Sequence, residues 1–294
     1  MAVTPPVRAV LAAKALLGEG ALWDAERDIV WFVDIKRRLL WHFDPASGSN
    51  AHAEAPGQIG WALPAEDGSL LCGLQDGLYR FEPEARRFAK LAAVPGEPAG
   101  NRLNDACTDR WGRVWFGSMD DGEGEKSGRF YVFDGGEIRA AGPSGIAITN
   151  GPAVNAAGDR IYFTDTLGKR IMVADLGREG VGEARAFVDT AAHFPDAFPD
   201  GPVVDAEGFV WSAFYLGGHV ARFSPDGKMV ERIAIPARDV TKMAFGGRHF
   251  ATAYVTTATK DMKPEDLTQY PDAGSLFAFA APVKGFAQTR VKLG

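Results

Sequence analysis

The chain has 294 residues, 46% of them hydrophobic, with a formal net charge of −6 and two cysteines, Cys72 and Cys107. That composition describes a globular protein with a real core. It excludes a phosphate-binding basic surface, so no nucleic-acid partner is expected, and it excludes a disulfide framework or a four-cysteine metal site. Both cysteines sit in strand-like text, where buried free thiols are common.

The N-terminal "MAVTPPVRAVLAAKALLGEG" has a short apolar patch broken by Arg8 and Lys14. It is too interrupted for an export signal. No later run approaches the length needed to cross a bilayer, so a cytoplasmic protein without a membrane partner is expected. From there one phrase recurs six times, at intervals of about 40 to 50 residues: an apolar strand, a turn opened by Asp or Asn, and a second strand carrying aromatics. The copies are "ALWDAERDIVWFVD" (21–34), "LPAEDGSLLCGL" (63–74), "DACTDRWGRVWFGS" (105–118), "PAVNAAGDRIYFTD" (152–165), "PVVDAEGFVWSAF" (202–214) and, more weakly, "MAFGGRHFATAYVTT" (243–257). A third strand follows each, as in "LLWHFDPASG" and "GLYRFEPEAR". No segment of 12 or more residues sustains a 3.6-residue period. Six such antiparallel sheets around an axis predict an all-β, six-bladed β-propeller, a single domain with blades near 16–56, 57–98, 99–142, 143–193, 194–236 and 237–282. The spare strand Val7–Ala13 is expected to complete the last blade and close the ring. The segment 259–274, "TKDMKPEDLTQYPDAG", reads as a polar excursion with room for one helical turn over one face.

The turn residues Asp24, Asp109, Asn155 and Asp205 supply a register. Five positions before each stand Glu19, Asn104, Asn150 and Asp200; the second repeat has Gly60 there, and the sixth gives no secure alignment. The first strand of each propeller blade lines the central channel, so these residues converge at one height. Two carboxylates in a partly desolvated channel repel unless a proton or cation is shared. An all-oxygen set of this kind favours a hard divalent ion such as Ca²⁺, Mg²⁺ or Mn²⁺, with Fe²⁺ and Zn²⁺ remaining open. Asp34 and Asp165, each fifteen residues after its partner in the register, are read as turn-stabilising. Phe198, Tyr215 and Trp61 are candidates for the pocket wall, and His193 and His219 for the channel mouth. The chain has no GxSxG elbow and no HExxH, and its five histidines lack ligand spacing.

"LGEGALW", "NRLNDACTDRWGRVWFGSM", "ITNGPAVNAAGDRIYFTDT", "FPDGPVVDAEGFVWSA" and "VTKMAFGG" together resemble the regucalcin/gluconolactonase family of sugar lactonases, in the family's order from about Leu17 to Thr259. "WFVDIKRRLLWHFDPASG" is most similar to bacterial members that open aldono-lactones such as xylonolactone. The resemblance implies a six-bladed propeller with one divalent cation held by Glu19, Asn150 and Asp200, and substrate contacts from Arg102 and Asn104. A small-molecule sugar lactone is the implied partner, and a monomer is expected. Some members carry a Glu three residues after the methionine of "GSM"; this chain has Gly122 there, flanked by Asp121 and Glu123. In the lactonase reading the metal polarises the carbonyl and Asp200 is the candidate general base. The alternatives are a promiscuous lactonase or organophosphate hydrolase using the same site, and a non-catalytic metal- or ligand-binding propeller.

Overall fold

A computed structural model describes residues 6–293. It contains six antiparallel sheets arranged as the blades of a propeller. The innermost strands are Gly18–Asp24, Ile59–Pro64, Asn101–Thr108, Thr149–Val154, Phe198–Val204 and Asp239–Gly246. Each is followed outward by strands joined through tight turns. The fourth blade is wider than the others: both Gly180–Val181 and Arg185–Asp189 pair with its third strand.

In three blades the Asp that opens the turn has a double duty. In blade 3, Asp109 accepts backbone N–H bonds from Trp111 and Arg113, while its other oxygen accepts the indole N–H of Trp115 at 2.8 Å. Asp205 and Trp211 repeat this at 3.0 Å, and Asp24 and Trp31 at 3.3 Å. The turn is therefore closed by the side chain and tied to the buried aromatic of the next strand. Gly112 and Gly208 both turn the chain back with φ of +83°, where a side chain would be strained.

The core lies between neighbouring blades. Trp61 of blade 2 packs with Phe116 and Tyr131 of blade 3, and Phe130 of blade 3 meets Phe163 of blade 4 at 4.6 Å between ring centres. Trp61, expected at the pocket wall, is thus core: it is 1% exposed and fills the gap between blades. Cys72 and Cys107 are buried free thiols, as expected.

The N-terminal strand Arg8–Leu11 pairs with Leu276–Ala280 and completes the sixth blade, which joins the two ends of the chain. A second tie comes from the C-terminal segment, where Val291 bridges Ala65 of blade 2. The excursion after Thr259 contains the helix Pro264–Gln269. No helix among the described residues is long and apolar enough to cross a membrane.

Deleting residues 1–11 leaves the edge of Leu276–Ala280 unpaired. The expected result is a fall in melting temperature of roughly 5–10 °C in thermal unfolding, with increased self-association through the open edge.

Candidate active site

Glu19, Asn150 and Asp200 each occupy the same place in their strands. Each is the last paired residue before a β-bulge: Glu19 opposite Val33, Asn150 opposite Thr164, Asp200 opposite Ala213. Asn104 lies inside the corresponding bulge of blade 3, between Leu103 and Ala106. A bulge turns a strand residue off the sheet face, and here the four side chains share one cavity of about 190 Å³ with Arg102. The register read from the sequence brings together the residues it named.

Blade 2 contributes no side chain to this layer for a steric reason. A Cβ on Gly60 would stand 2.4 Å from the Leu103 carbonyl oxygen and 2.7 Å from that of Asn104. The backbone of blade 3 takes the space.

Hydrogen bonds fix the donors around the channel. The Arg102 guanidinium donates to Asn104 Oδ1 at 2.5 Å, and Asn104 Nδ2 donates to the Thr149 carbonyl at 2.6 Å and to Asn150 Oδ1 at 3.0 Å. Asn150 Nδ2 donates to Thr166 Oγ1, whose hydroxyl donates to the carbonyl of Pro199, the residue before Asp200. On the other side, Thr241 donates to the carbonyl of Gly18, the residue before Glu19. Glu19 Oε2 accepts the Gly20 N–H and Asp200 Oδ1 accepts the Gly201 N–H. Among the described residues, the second oxygen of each carboxylate has no hydrogen-bond donor.

Burial raises the Glu19 carboxyl to about 7, helped by the Asp105 charge. Burial likewise pushes Asp200 well above the usual carboxylate range, with Glu19 as the next cause. Two carboxyl groups that resist ionising together, with free oxygens and an oriented amide oxygen beside them, form a donor set suited to a hard cation. Among the described residues no group of three or more His, Cys, Asp or Glu side chains gathers; the third donor here is an amide.

Two buried residues at this level escaped the sequence reading. Lys242 Nζ donates to both oxygens of Asp105, at 2.5 and 2.6 Å. Asp105 also accepts the N–H of Gly151, next to Asn150, and Lys242 packs so tightly on Gly201 that a Cβ there would meet its side chain at 2.8 Å. Burial opposes the lysine's charge, but Asp105 outweighs it and holds the ammonium above its ordinary pKa. The pair ties blades 3, 4, 5 and 6 together beside the donors. Its signal was present: Asp105 stands where Gly20, Gly151 and Gly201 follow the other three donors, and Lys242 is the one basic residue in the first strand "DVTKMAFG", whose eight residues are all buried.

Around the rim, Phe198 and Tyr215 line the cavity as expected, joined by Leu167, Leu216 and Lys260. Of the two acids near Gly122, Glu123 lines the cavity. Asp121 lies outside it and braces Arg102, accepting from its Nε at 2.9 Å and from Lys36 at 2.6 Å. The two histidines expected at the mouth are elsewhere. His219 is 1% exposed, stacked on Phe214, and lowered by burial to about 4, so it is neutral. His193 packs against Phe194 and Phe223. Asp34 caps its turn through the N–H groups of Leu16, Leu17 and Arg37, and Asp165 does so through Gly168.

A family described as SMP-30/Gluconolactonase/LRE-like region matches residues 17–259. The chain belongs to this family. It is 29% identical over 283 residues to 6-deoxy-6-sulfogluconolactonase of Pseudomonas putida, covering 96% of this chain and 97% of that one. It is 32% identical over 298 residues to L-arabinolactonase of Azospirillum brasilense, covering 98% and 97%. Among solved structures, regucalcin from Agrobacterium tumefaciens, described as a calcium-binding protein, superposes with a TM-score of 0.93 at 26% identity, over 99% of this chain and 98% of that one.

Lys242→Met or Asp105→Asn alone strands one buried charge, and each is expected to cost about 3–5 kcal/mol in chemical denaturation. The double variant removes both charges and is expected to recover most of that loss, which a double-mutant cycle measures directly.

Proposed function

We propose that this protein is a sugar lactonase that hydrolyses an aldono-lactone to its aldonic acid with the help of a divalent cation. The observation that carries the reading is the convergence of Glu19, Asn150 and Asp200 with Arg102 and Asn104 in one cavity, in a chain whose similar proteins are named as lactonases. Glu19, Asn150 and Asp200 would hold the cation. Once bound, such an ion acts as a Lewis acid toward the lactone carbonyl and the developing oxyanion.

The chain's own residues supply the rest. Asp200 has one oxygen held by the Gly201 N–H. Its carboxylate takes a proton from the attacking water, and that proton is then passed to the ring oxygen as the acyl–oxygen bond opens. Arg102, clamped by Asp121 and by Asn104, presents a fixed fork of donors to the sugar hydroxyls. Asn104 keeps the Asn150 amide turned with its oxygen inward by donating to that oxygen and leaving Asn150 Nδ2 to Thr166. The apolar residues Ile148, Phe198 and Leu167 cover the C–H face of the ring and exclude water. The description of the Agrobacterium structure as calcium-binding supports a second reading, a cation-binding propeller without turnover.

Hydrolysis of freshly prepared pentono- and hexono-lactones, followed by proton release, tests the reading. Metal-stripped protein should show the spontaneous rate, and one or more of Ca²⁺, Mn²⁺, Mg²⁺, Zn²⁺ or Fe²⁺ should restore acceleration. Cation binding without acceleration of any lactone would leave the binding reading. Asp200→Asn should lower kcat/KM by roughly 10²–10⁴-fold with the propeller intact by circular dichroism.

The raised Glu19 pKa sets a pH dependence. Between its ordinary value of 4.5 and about 7, the metal-free folded state holds more protons than the unfolded chain. Its stability therefore falls as pH rises through that window. A cation must displace the same proton, so the melting-temperature increase on adding it should be larger at pH 8 than at pH 5.5.

A further inference from the structure

The mouth of the cavity is crossed by an ion pair that the hydrolytic machinery does not use. Lys260, at the start of the excursion in blade 6, bonds through its ammonium to the Glu123 carboxylate in the loop of blade 3. Both line the cavity. Neither is a loose surface group: their side chains are 21% and 34% exposed. The backbone of Lys260 is anchored, its N–H donating to the Leu16 carbonyl and its own carbonyl accepting from the Tyr215 hydroxyl. Glu123 sits at a φ of +62°, unusual for a residue with a side chain. Asp120 holds that turn, accepting the N–H groups of Gly124 and Glu125 at 2.9 and 3.0 Å while its carbonyl accepts the Glu123 N–H. The loop is built to aim a carboxylate at Lys260.

The charges of the cavity explain why that matters. Its charged lining residues are four acids, Glu19, Glu123, Asp200 and Asp261, and two bases, Arg102 and Lys260. Each base is already committed. Arg102 is paired with Asp121, which also takes Lys36 so that the three together keep one positive charge, and Lys260 is paired with Glu123 and, at 3.6 Å, with Asp261. Lys169 stands behind Phe198, its ammonium over the ring and bonded to the Pro195 carbonyl. The deficit of two positive charges equals one divalent cation. With that ion in place no lining base is left unpaired for an anionic group on the substrate, and Glu123 faces whatever occupies the mouth.

We propose that Glu123 is a specificity-determining residue. By cancelling Lys260 it restricts the site to lactones whose chain carries no charge, and it rejects those ending in phosphate, sulfonate or carboxylate. This rests on the lactonase reading. It sets the chain apart from its Pseudomonas relative, which is named for a sulfo-substituted lactone. Rejection by a like charge at the mouth is the repulsive element that specificity requires in addition to a good fit.

The test compares kcat/KM for D-glucono-1,5-lactone and 6-phospho-D-glucono-1,5-lactone in the cation-loaded wild type, Glu123→Gln, and Glu123→Gln/Lys260→Met. The wild type should prefer the uncharged lactone by about 10-fold or more. Glu123→Gln leaves Lys260 only the exposed Asp261 at 3.6 Å and should narrow that preference by about 10-fold, and adding Lys260→Met should restore it. An equal or greater rate on the phosphorylated lactone in the wild type overturns the proposal, as does a preference unmoved by Glu123→Gln. Wild-type protein that accelerates neither lactone, nor any other in the panel above, overturns the lactonase reading itself. Melting temperatures within a few degrees of wild type show that the variants are folded.

Discussion

Six strands from six blades crowd one axis, and any polar group they carry there must be satisfied by another. This constraint organises the whole inner layer. Glu19 and Asp200 are buried carboxyl groups whose pKa values burial raises, and the Glu19 charge raises that of Asp200 further. Asn104 and Asn150 share one hydrogen bond, Thr166 and Thr241 reach the carbonyls that precede the two carboxylates, and Lys242 neutralises Asp105. Where a strand can offer nothing compatible, as at Gly60, the side chain is absent and the neighbouring backbone fills the space.

The ion pair at Lys242 illustrates how stability and site geometry become one property. A buried pair adds little net stability compared with apolar residues, but it is costly to break on one side. Its value lies in where it is anchored. Asp105 follows Asn104 directly and accepts the N–H after Asn150, and Lys242 is packed on the residue after Asp200. Any change in the spacing of blades 3 to 6 disturbs this pair, so the spacing of the donors is held by an interaction that tolerates little movement. The outer turns serve the same end. The Asp–Trp bonds fix three of the hairpins to their own blades, and inter-blade aromatics such as Trp61 against Phe116 fix blade to blade.

Much of this was legible in the sequence because the repeat carries its own ruler. The Asp that opens each turn is bonded to the Trp of the next strand in three blades, so counting back from it lands on one layer of the ring. That found Glu19, Asn104, Asn150 and Asp200, and the spare strand expected at Val7–Ala13, seen as Arg8–Leu11, followed from the shortage in the last blade. What it missed has a common cause. The sixth blade lacks the turn Asp, so Lys242 had no register, and Asp105 looked like part of a motif rather than half of a pair separated by 137 positions. Aromatic and histidine side chains were harder still. Trp61, His193 and His219 are placed by packing between blades, and pattern alone does not distinguish a residue facing the channel from one facing the neighbouring sheet.

The inner layer and the rim are therefore built on different principles. The donors are set by strand pairing and bulges, which leave little freedom without unmaking the ring. The rim comes from loops: the turn of Asp120–Glu125 in blade 3, Leu167 and Leu216 after the second strands of blades 4 and 5, and the excursion beginning at Lys260. Loops tolerate change that strands do not. A charge on Glu123 or an apolar side chain at Leu216 is altered without touching the hydrogen bonds that orient Asn150 or the strut at Lys242. A fold divided in this way can keep its inner layer while its mouth changes, and Glu123 stands in the part that is free to change.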